Sequence, residues 1–190
     1  GGPACCREFV MAKVLIHATV TLDGYMADPD GGVDWMFDVD ATDEDTVLVN
    51  RVVGEIGAVV GGANRARTVE DGEEPYGGLP GVPVYLMTHS AAEPVVKDGV
   101  TYTFVVDEIG SALEMAKADA GEKAVSLLGG RISRQCLQLG VVDEIQLHVV
   151  PILLGAGITL FGGLNQRVNL ELIEDAAYGS GVHLRYRVVR

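Results

Sequence analysis

The hydrophobic pattern changes period along the chain, and each change marks an element. Lys13 to Thr21 (KVLIHATVT) is β-branched and largely apolar, as a buried strand is. Leu22-Asp23-Gly24-Tyr25 ends it as a turn, and a polar, Gly-rich loop follows from Met26 to Val33. Trp35, Met36 and Phe37 then form an apolar cluster. Thr42-Asp43-Glu44-Asp45 places negative charge at the start of a helix expected to run to about Val53, where the helix dipole favours it. Gly57 to Gly62, Val82 to Met87 and Val100 to Val106 read as strands, with a charged loop rich in Gly and Pro at 63–81 after the first. Asp107 to Ala120 carries Ile109, Leu113 and Ala116 at helical spacing. Lys123 to Leu128 reads as a strand, and Gly129-Gly130 leads from it into a helix with Ile132, Cys136 and Leu139 on one face. Val141 to Leu153 reads as a long strand interrupted by Pro151. Val168 to Tyr178 and Val182 to Val189, joined by Gly179-Ser180-Gly181, read as a closing hairpin.

Strands alternate with helices at first, and the chain closes on strands. This predicts an α/β fold with a mainly parallel sheet and an antiparallel edge. The length of 190 residues suits one domain. Residues 1–10 match nothing else in the pattern and read as a leader or cloning remnant before a single domain over 11–190. Apolar types make up 48% of the chain, which excludes a disordered protein. Fourteen basic residues stand against twenty-seven acidic ones, a net charge of −13. That balance argues against a nucleic-acid partner and against an anionic membrane surface. Three cysteines, Cys5, Cys6 and Cys136, have neither disulfide-framework nor zinc-site spacing, so a reducing, cytoplasmic setting is expected. No apolar run reaches the length of a membrane helix.

Three clusters point to an anionic ligand. Gly129-Gly130 with Arg131 and Ile132 opens a helix after a strand, where backbone amides face an anion; the alternative is a plain strand-to-helix turn. Gly61-Gly62-Ala63-Asn64-Arg65, with Arg67 close behind, follows a second strand; it is either a phosphate cradle or a solvated basic loop. Thr88-His89-Ser90 follows a third, as anion donors or an ordinary polar turn. All three lie just past the carboxyl end of a strand, where open α/β sheets bind ligands. Trp35 with Asp40 is a fourth feature: an acid beside an aromatic can hold a proton for donation, or Asp40 can simply precede the next helix. His17 and His148 fall inside strand patterns and read as satisfied strand residues rather than catalysts.

Four segments together resemble the dihydrofolate-reductase-like family, specifically the reductase domain of riboflavin biosynthesis and its stand-alone relatives. They are ATVTLDGYMA at 18–27, AVVGGANRAR at 58–67, VSLLGGRISRQCLQLGVVDEI at 125–145 and HVVPILLGAGITLF at 148–161. The resemblance implies a three-layer fold, an NADPH site and a homodimer. It implies Ala18 and Thr19 beside the nicotinamide, with Met26 on a covering loop. Gly62, Ala63, Asn64 and Arg65 would face the phosphates, Thr88, His89 and Ser90 the adenosine 2′-phosphate, and Gly129, Gly130, Arg131 and Ile132 the pyrophosphate. Asp40 would supply the proton, five residues after Trp35, and Trp35 and Asp71 would line the substrate. The expected reaction is hydride transfer from NADPH to a C=N or C=O of a pterin-, pyrimidine- or ribosyl-type molecule, with no metal. Two alternatives remain: an NADP-binding module without catalysis, and a weak dihydrofolate reductase. The second is opposed by Val82, which stands after Leu79-Pro80-Gly81 where dihydrofolate reductases have an arginine for the folate carboxylate. The zinc deaminase that often accompanies the riboflavin reductase has no counterpart, because HxE and PCxxC are absent.

Overall fold

A nine-stranded sheet forms the centre of the computed structural model, which describes residues 11–62, 79–179 and 181–190. Its first strands are β1 (Val14–Thr21), β3 (Ile56–Gly61), β4 (Val84–Met87), β5 (Val95–Lys97) and β6 (Val100–Val105). The rest are β7 (Ala124–Leu128), β8 (Glu144–Val150), β10 (Asn169–Tyr178) and β11 (Gly181–Val189). They lie in the order β10-β11-β8-β1-β7-β3-β4-β6-β5. The six from β8 to β6 run parallel to their neighbours, while β11, β10 and β5 pair antiparallel. A separate two-stranded ribbon joins β2 (Tyr25–Ala27) to β9 (Ile158–Thr159).

The expected α/β architecture is therefore present, with helices on both faces. On one face α2 (Ile109–Ala120) and α3 (Gly130–Gln138) bury Ile109, Leu113, Ala116, Ile132 and Cys136 against Val14, Ile16, Val60 and Leu127. On the other, α1 (Asp43–Gly54) sets Leu48 and Val52 on Leu15. Parallel strands covered on both sides need apolar residues at every position, and Val14, Leu15 and Ile16 are all buried.

Several boundaries differ from expectation for local reasons. The strand expected to reach Leu153 stops at Val150, because Pro151 cannot donate to the ladder. Leu139 falls at the C-cap of α3 and is exposed, unlike Ile132 and Cys136. The Trp35 cluster is a 3₁₀ turn over Asp34–Asp38 that buries Trp35 alone, leaving Phe37 in solvent. β2, β5 and β9 are two or three residues long, too short to show a period.

The face under α1 is polar as well as apolar. Glu144, Gln146 and His148 of β8 and His183 of β11 are all buried there. Cross-strand pairing aligns His183 with His148 and Arg185 with Gln146. Arg185 donates to Glu144 and, through both terminal nitrogens, to Glu55, and Lys13 completes the group with a 2.7 Å contact to Glu144. Burial alone would push the Glu144 carboxyl up, but hydrogen bonds from Lys13 and Arg185 outweigh it and hold it below its ordinary range.

Candidate active site

The sheet register brings together, at one edge, those positions expected to face a ligand that lie among the described residues. Gly61 pairs with Leu86 of β4 and with Leu128 of β7, so Gly62, Met87 and Gly129 are the next residues up. Ile16 pairs with Leu127, which puts Ala18 level with Gly129. Thr88 follows Met87 directly. β7, β3 and β4 thus end side by side next to the middle of β1, the four strands spanning about 14 Å at a strand spacing of roughly 4.8 Å. This is the crevice at the carboxyl ends of parallel strands where α/β sheets take ligands.

Its centre is the start of α3. Gly129 is the N-cap, with φ 99°, and among the described residues no side chain caps the helix. The first turn carries no acidic residue. Its amides are thereby left for an anion, and Arg131 stands exposed in the same turn. α1, by contrast, satisfies its own first turn with a capping box from Thr42 and Asp45, whereas α2 has no side-chain cap either. Gly130 must be glycine, because a Cβ there would meet Arg134 Nη1 and the Thr159 carbonyl at 2.8 Å and Met26 Sδ at 3.2 Å. Arg134 in turn donates to the carbonyls of Thr159 and Leu160, tying β9 to α3. Met26 and Gly130 are therefore brought together, and so are Gly62 and Ile132, whose Cγ1 lies 3.4 Å from where a Gly62 Cβ would be.

The loop after β1 is anchored at its base. Asp23 accepts from the Thr21 hydroxyl and from the amides of Leu154 and Gly155, the first of these holding its carboxyl below the usual range. Beyond it, Asp28 Oδ1 takes the amides of Asp30 and Gly32 in a tight turn. Ala18 and Thr19 are half-buried; Thr88 is half-buried and accepts the Ser90 amide, while His89 and Ser90 are exposed. Ala63, Asn64, Arg65, Arg67 and Asp71 lie outside the described residues. Val82 packs on the cluster containing Ile56, Val84 and Leu86, an apolar role that leaves no carboxylate fork at that place.

Trp35 and Asp40 do not share an environment. Trp35 is buried, and its Nε1 has no partner among the described residues. Asp40 is exposed between the 3₁₀ turn and α1, so the apolar surroundings that suited it to hold a proton are missing.

Sequence reasoning did not foresee what lies beneath α1. His17 Nε2 is 2.7 Å from His148 Nε2; His148 Nδ1 is 2.5 Å from His183 Nδ1; His183 Nε2 is 2.6 Å from Asp45 Oδ1. The rings meet edge-on, with centroids 4.9 and 4.8 Å apart. Asp45 Oδ2 meanwhile accepts the Thr42 amide and hydroxyl. Burial alone would raise the Asp45 carboxyl; the bonds from Thr42 and His183 outweigh it and hold it low. Burial lowers His17 to about 4 and His148 to about 3, helped by Arg185 for the first and by the neighbouring histidines for the second. His17 and His148 are thus strand residues, as expected, but members of one array. The only sequence signal for it is that each histidine sits in a strand on the parity facing α1.

A groove of about 350 Å³ also runs along α1, lined by Asp43, Glu44, Val47, Leu48 and Arg51. It shares no residue with the strand-end crevice and brings no converging donors, so the crevice is the better candidate. No group of His, Cys, Asp and Glu fit to hold a metal ion occurs among the described residues. No described helix is long and apolar enough to cross a membrane.

Comparison with known proteins matches residues 12–184 to the family model of the RibD C-terminal domain. The uncharacterised Bacillus subtilis protein YyaP is 26% identical over 177 residues, covering 90% of this chain and 91% of its own. The crystal structure of a candidate riboflavin biosynthesis protein from Shewanella sp. PV-4 aligns with a TM-score of 0.74 at 25% identity, over 94% of this chain and 99% of that one. A Thermotoga maritima diaminohydroxyphosphoribosylaminopyrimidine deaminase/5-amino-6-(5-phosphoribosylamino)uracil reductase aligns at 0.67 and 18% identity, this chain's fold matching 57% of that longer protein.

Proposed function

The chain belongs to the RibD C-terminal domain family, and from that footing we propose that it is an NADPH-dependent reductase, a single domain over residues 11–190 acting as a homodimer. The observation that carries this reading is the common level of Ala18, Gly62, Met87 and Gly129 across four neighbouring strands, with Thr88 the next residue. Two glycines and a threonine at adjacent strand ends, beside the small Ala18 within β1, suit one extended, phosphate-bearing ligand better than unrelated turns.

The residues fit such a cofactor. The start of α3 offers uncapped amides with no competing carboxylate, and space is open beside Gly129. The pyrophosphate is assigned to Gly129, Gly130, Arg131 and Ile132, and the 2′-phosphate to Thr88, His89 and Ser90. Ala18 and Thr19 take the nicotinamide, with Met26 covering it; Gly62 to Arg65 complete the phosphate contacts. When bound, NADPH supplies the hydride. The chain's own part is to fix the acceptor carbon against it, keep water out and deliver a proton to the neighbouring nitrogen or oxygen. The substrate is a C=N or C=O compound of pterin, pyrimidine or ribosyl type, with Trp35 and Asp71 on its side. The loop beyond the Asp23 anchor, 28–34, is the part able to close over it.

Titration of the protein with NADPH, read by cofactor fluorescence, tests the assignment. Binding is expected in the micromolar range, with NADH at least tenfold weaker for want of the 2′-phosphate. No binding at near-millimolar NADPH overturns it.

A further inference from the structure

The part of the crevice assigned to cover the nicotinamide is a weak element held at two points. β2 and β9 are three and two residues long, and their register pairs Tyr25 with Thr159 and Ala27 with Ile158. A two-stranded ribbon of that size is not stable alone. Its base is fixed by Asp23, which takes the amides of Leu154 and Gly155, and by the Leu22 amide on the Ile152 carbonyl. Its far end is fixed by one side chain. Arg134 Nη1 donates to the Thr159 carbonyl at 2.9 Å and to the Leu160 carbonyl at 3.1 Å.

Arg134 stands apart from the other described arginines. Twenty-seven acidic residues face fourteen basic ones in this chain, and Arg51, Arg185, Arg187 and Arg190 each hold a carboxylate. Arg131 and Arg167 hold none among the described residues, but both are exposed. Arg134 is half-buried, and its partners among the described residues are carbonyl dipoles alone. Its side chain runs back along α3 toward the N-terminus, as helical side chains do, so Nη1 lies 2.8 Å from where a Gly130 Cβ would be. The Thr159 carbonyl, also at 2.8 Å, and Met26 Sδ, at 3.2 Å, converge on the same point. A guanidinium is thereby set beside the positive end of a helix whose first turn has neither an acidic residue nor a side-chain cap. Two positive poles side by side disfavour each other until an anion joins them.

We propose that Arg134 is a positioning residue that makes filling of the α3 start and seating of the ribbon a single event. It rests on the reductase reading, in which the anion is the cofactor's pyrophosphate. An anion on the first-turn amides offsets both positive poles and lowers the cost of keeping the guanidinium at Gly130. Held there, Arg134 keeps Thr159 and Leu160 down, and through the β2–β9 pairs it keeps Met26 over the nicotinamide. By linkage, the seated ribbon favours the anion by the same factor. The planar guanidinium aims two N–H bonds of one nitrogen at neighbouring carbonyls; a lysine ammonium would carry the charge without that fixed direction. The Leu160 side chain is buried in the same core cluster as Ile132, so the fold does not depend on the fork.

The test uses the full chain as wild type, Arg134→Gln and Arg134→Lys, read by amide hydrogen exchange with and without NADPH and with no acceptor present. In the wild type, NADPH should slow exchange in the first turn of α3, 129–133, and in the ribbon, 22–27 and 157–161. In Arg134→Gln it should slow the first turn of α3 alone, and the ribbon of the empty protein should exchange about tenfold faster than in the wild type. Arg134→Lys should lose ribbon protection as well, yet bind NADPH about fivefold more tightly than Arg134→Gln, because it keeps the charge. In turnover with NADPH and a reducible acceptor, both variants should lower kcat by about 100-fold through the misplaced cover. Equal protection of the ribbon by NADPH in the wild type and Arg134→Gln overturns the proposal. So does faster exchange across the whole central sheet in that variant, the mark of a merely structural arginine. Protection of α3 without the ribbon in the wild type overturns the coupling and leaves the reductase reading intact. No protection by NADPH at either place removes the reductase reading, and the coupling with it.

Discussion

Asp45 holds two structures together with one carboxylate. Its Oδ2 closes the capping box of α1, and its Oδ1 ends the histidine array. The turn between β10 and β11 presses on this spot: Gly179, at φ 49°, would place a Cβ 2.7 Å from Thr42 Cγ2 and 2.8 Å from Asp45 Oδ2. Gly179→Ala is expected to cost about 1–3 kcal/mol from backbone strain and the displaced cap. In a chain of this size each kcal/mol lowers Tm by about 2–4 °C, which thermal unfolding reads directly. The array also sets the pH dependence. His17 and His148 are lowered to about 4 and 3, so below their ordinary range the unfolded chain binds protons that the folded chain refuses. Stability is complete above about pH 6.5 and falls as pH drops toward 4, with Asp45 and Glu144 adding to the loss at the acid end. Urea midpoints measured between pH 7.5 and 4 should fall steadily; a flat profile would show the imidazoles are not held neutral.

At the scale of elements, the ends of helices decide more than their middles. α3 leaves its first turn without a side-chain cap, as α2 does, whereas α1 closes its own; what sets α3 apart is its start at Gly129 beside the strand ends. Gly130→Ala drives a methyl into Arg134, Thr159 and Met26. It is expected to weaken NADPH binding at least tenfold while the fold survives, as cofactor titration beside circular dichroism will show. Arg185 bridges β11 to Glu144 of β8 and to Glu55 just past α1. Arg185→Met leaves Glu144 with Lys13 alone and Glu55 without its arginine, and should destabilise by about 3 kcal/mol in chemical denaturation. The main strands and all three described helices were legible in the sequence, because β-branched runs and helical spacing persist over five residues or more. Gly129-Gly130 and Thr88 were legible as strand-end positions for the same reason. The short strands β2, β5 and β9 were not, since two or three residues carry no period. Nor was the array: His17, His148 and His183 look like isolated residues until strand order places β11 beside β8 and β8 beside β1.

Across the whole molecule, acidity and ligand are reconciled by placement. The net charge of −13 spreads over the surface, whereas the start of α3 has no acidic residue in its first turn. The proposed homodimer belongs to this scale as well. β10 is an edge strand of ten residues with Leu170, Leu172 and Ile173 exposed, a template that soluble proteins normally cover. Light scattering is expected to give twice the chain mass, and a monomer would refute the dimer.

The span of the histidine array has a consequence for how the protein is made. His17 precedes His148 and His183 in the chain, and His148 stands 35 residues before His183, so the ring on β1 waits for nearly all of this domain to emerge before the carboxylate-linked one is available. Domains generally begin to fold from the N-terminus during translation. Here the parallel core can assemble early, yet its polar half stays unfinished until the final hairpin docks. A nascent chain cut at residue 168 should therefore behave as a collapsed, chaperone-bound species, and release from the chaperone should wait for β11.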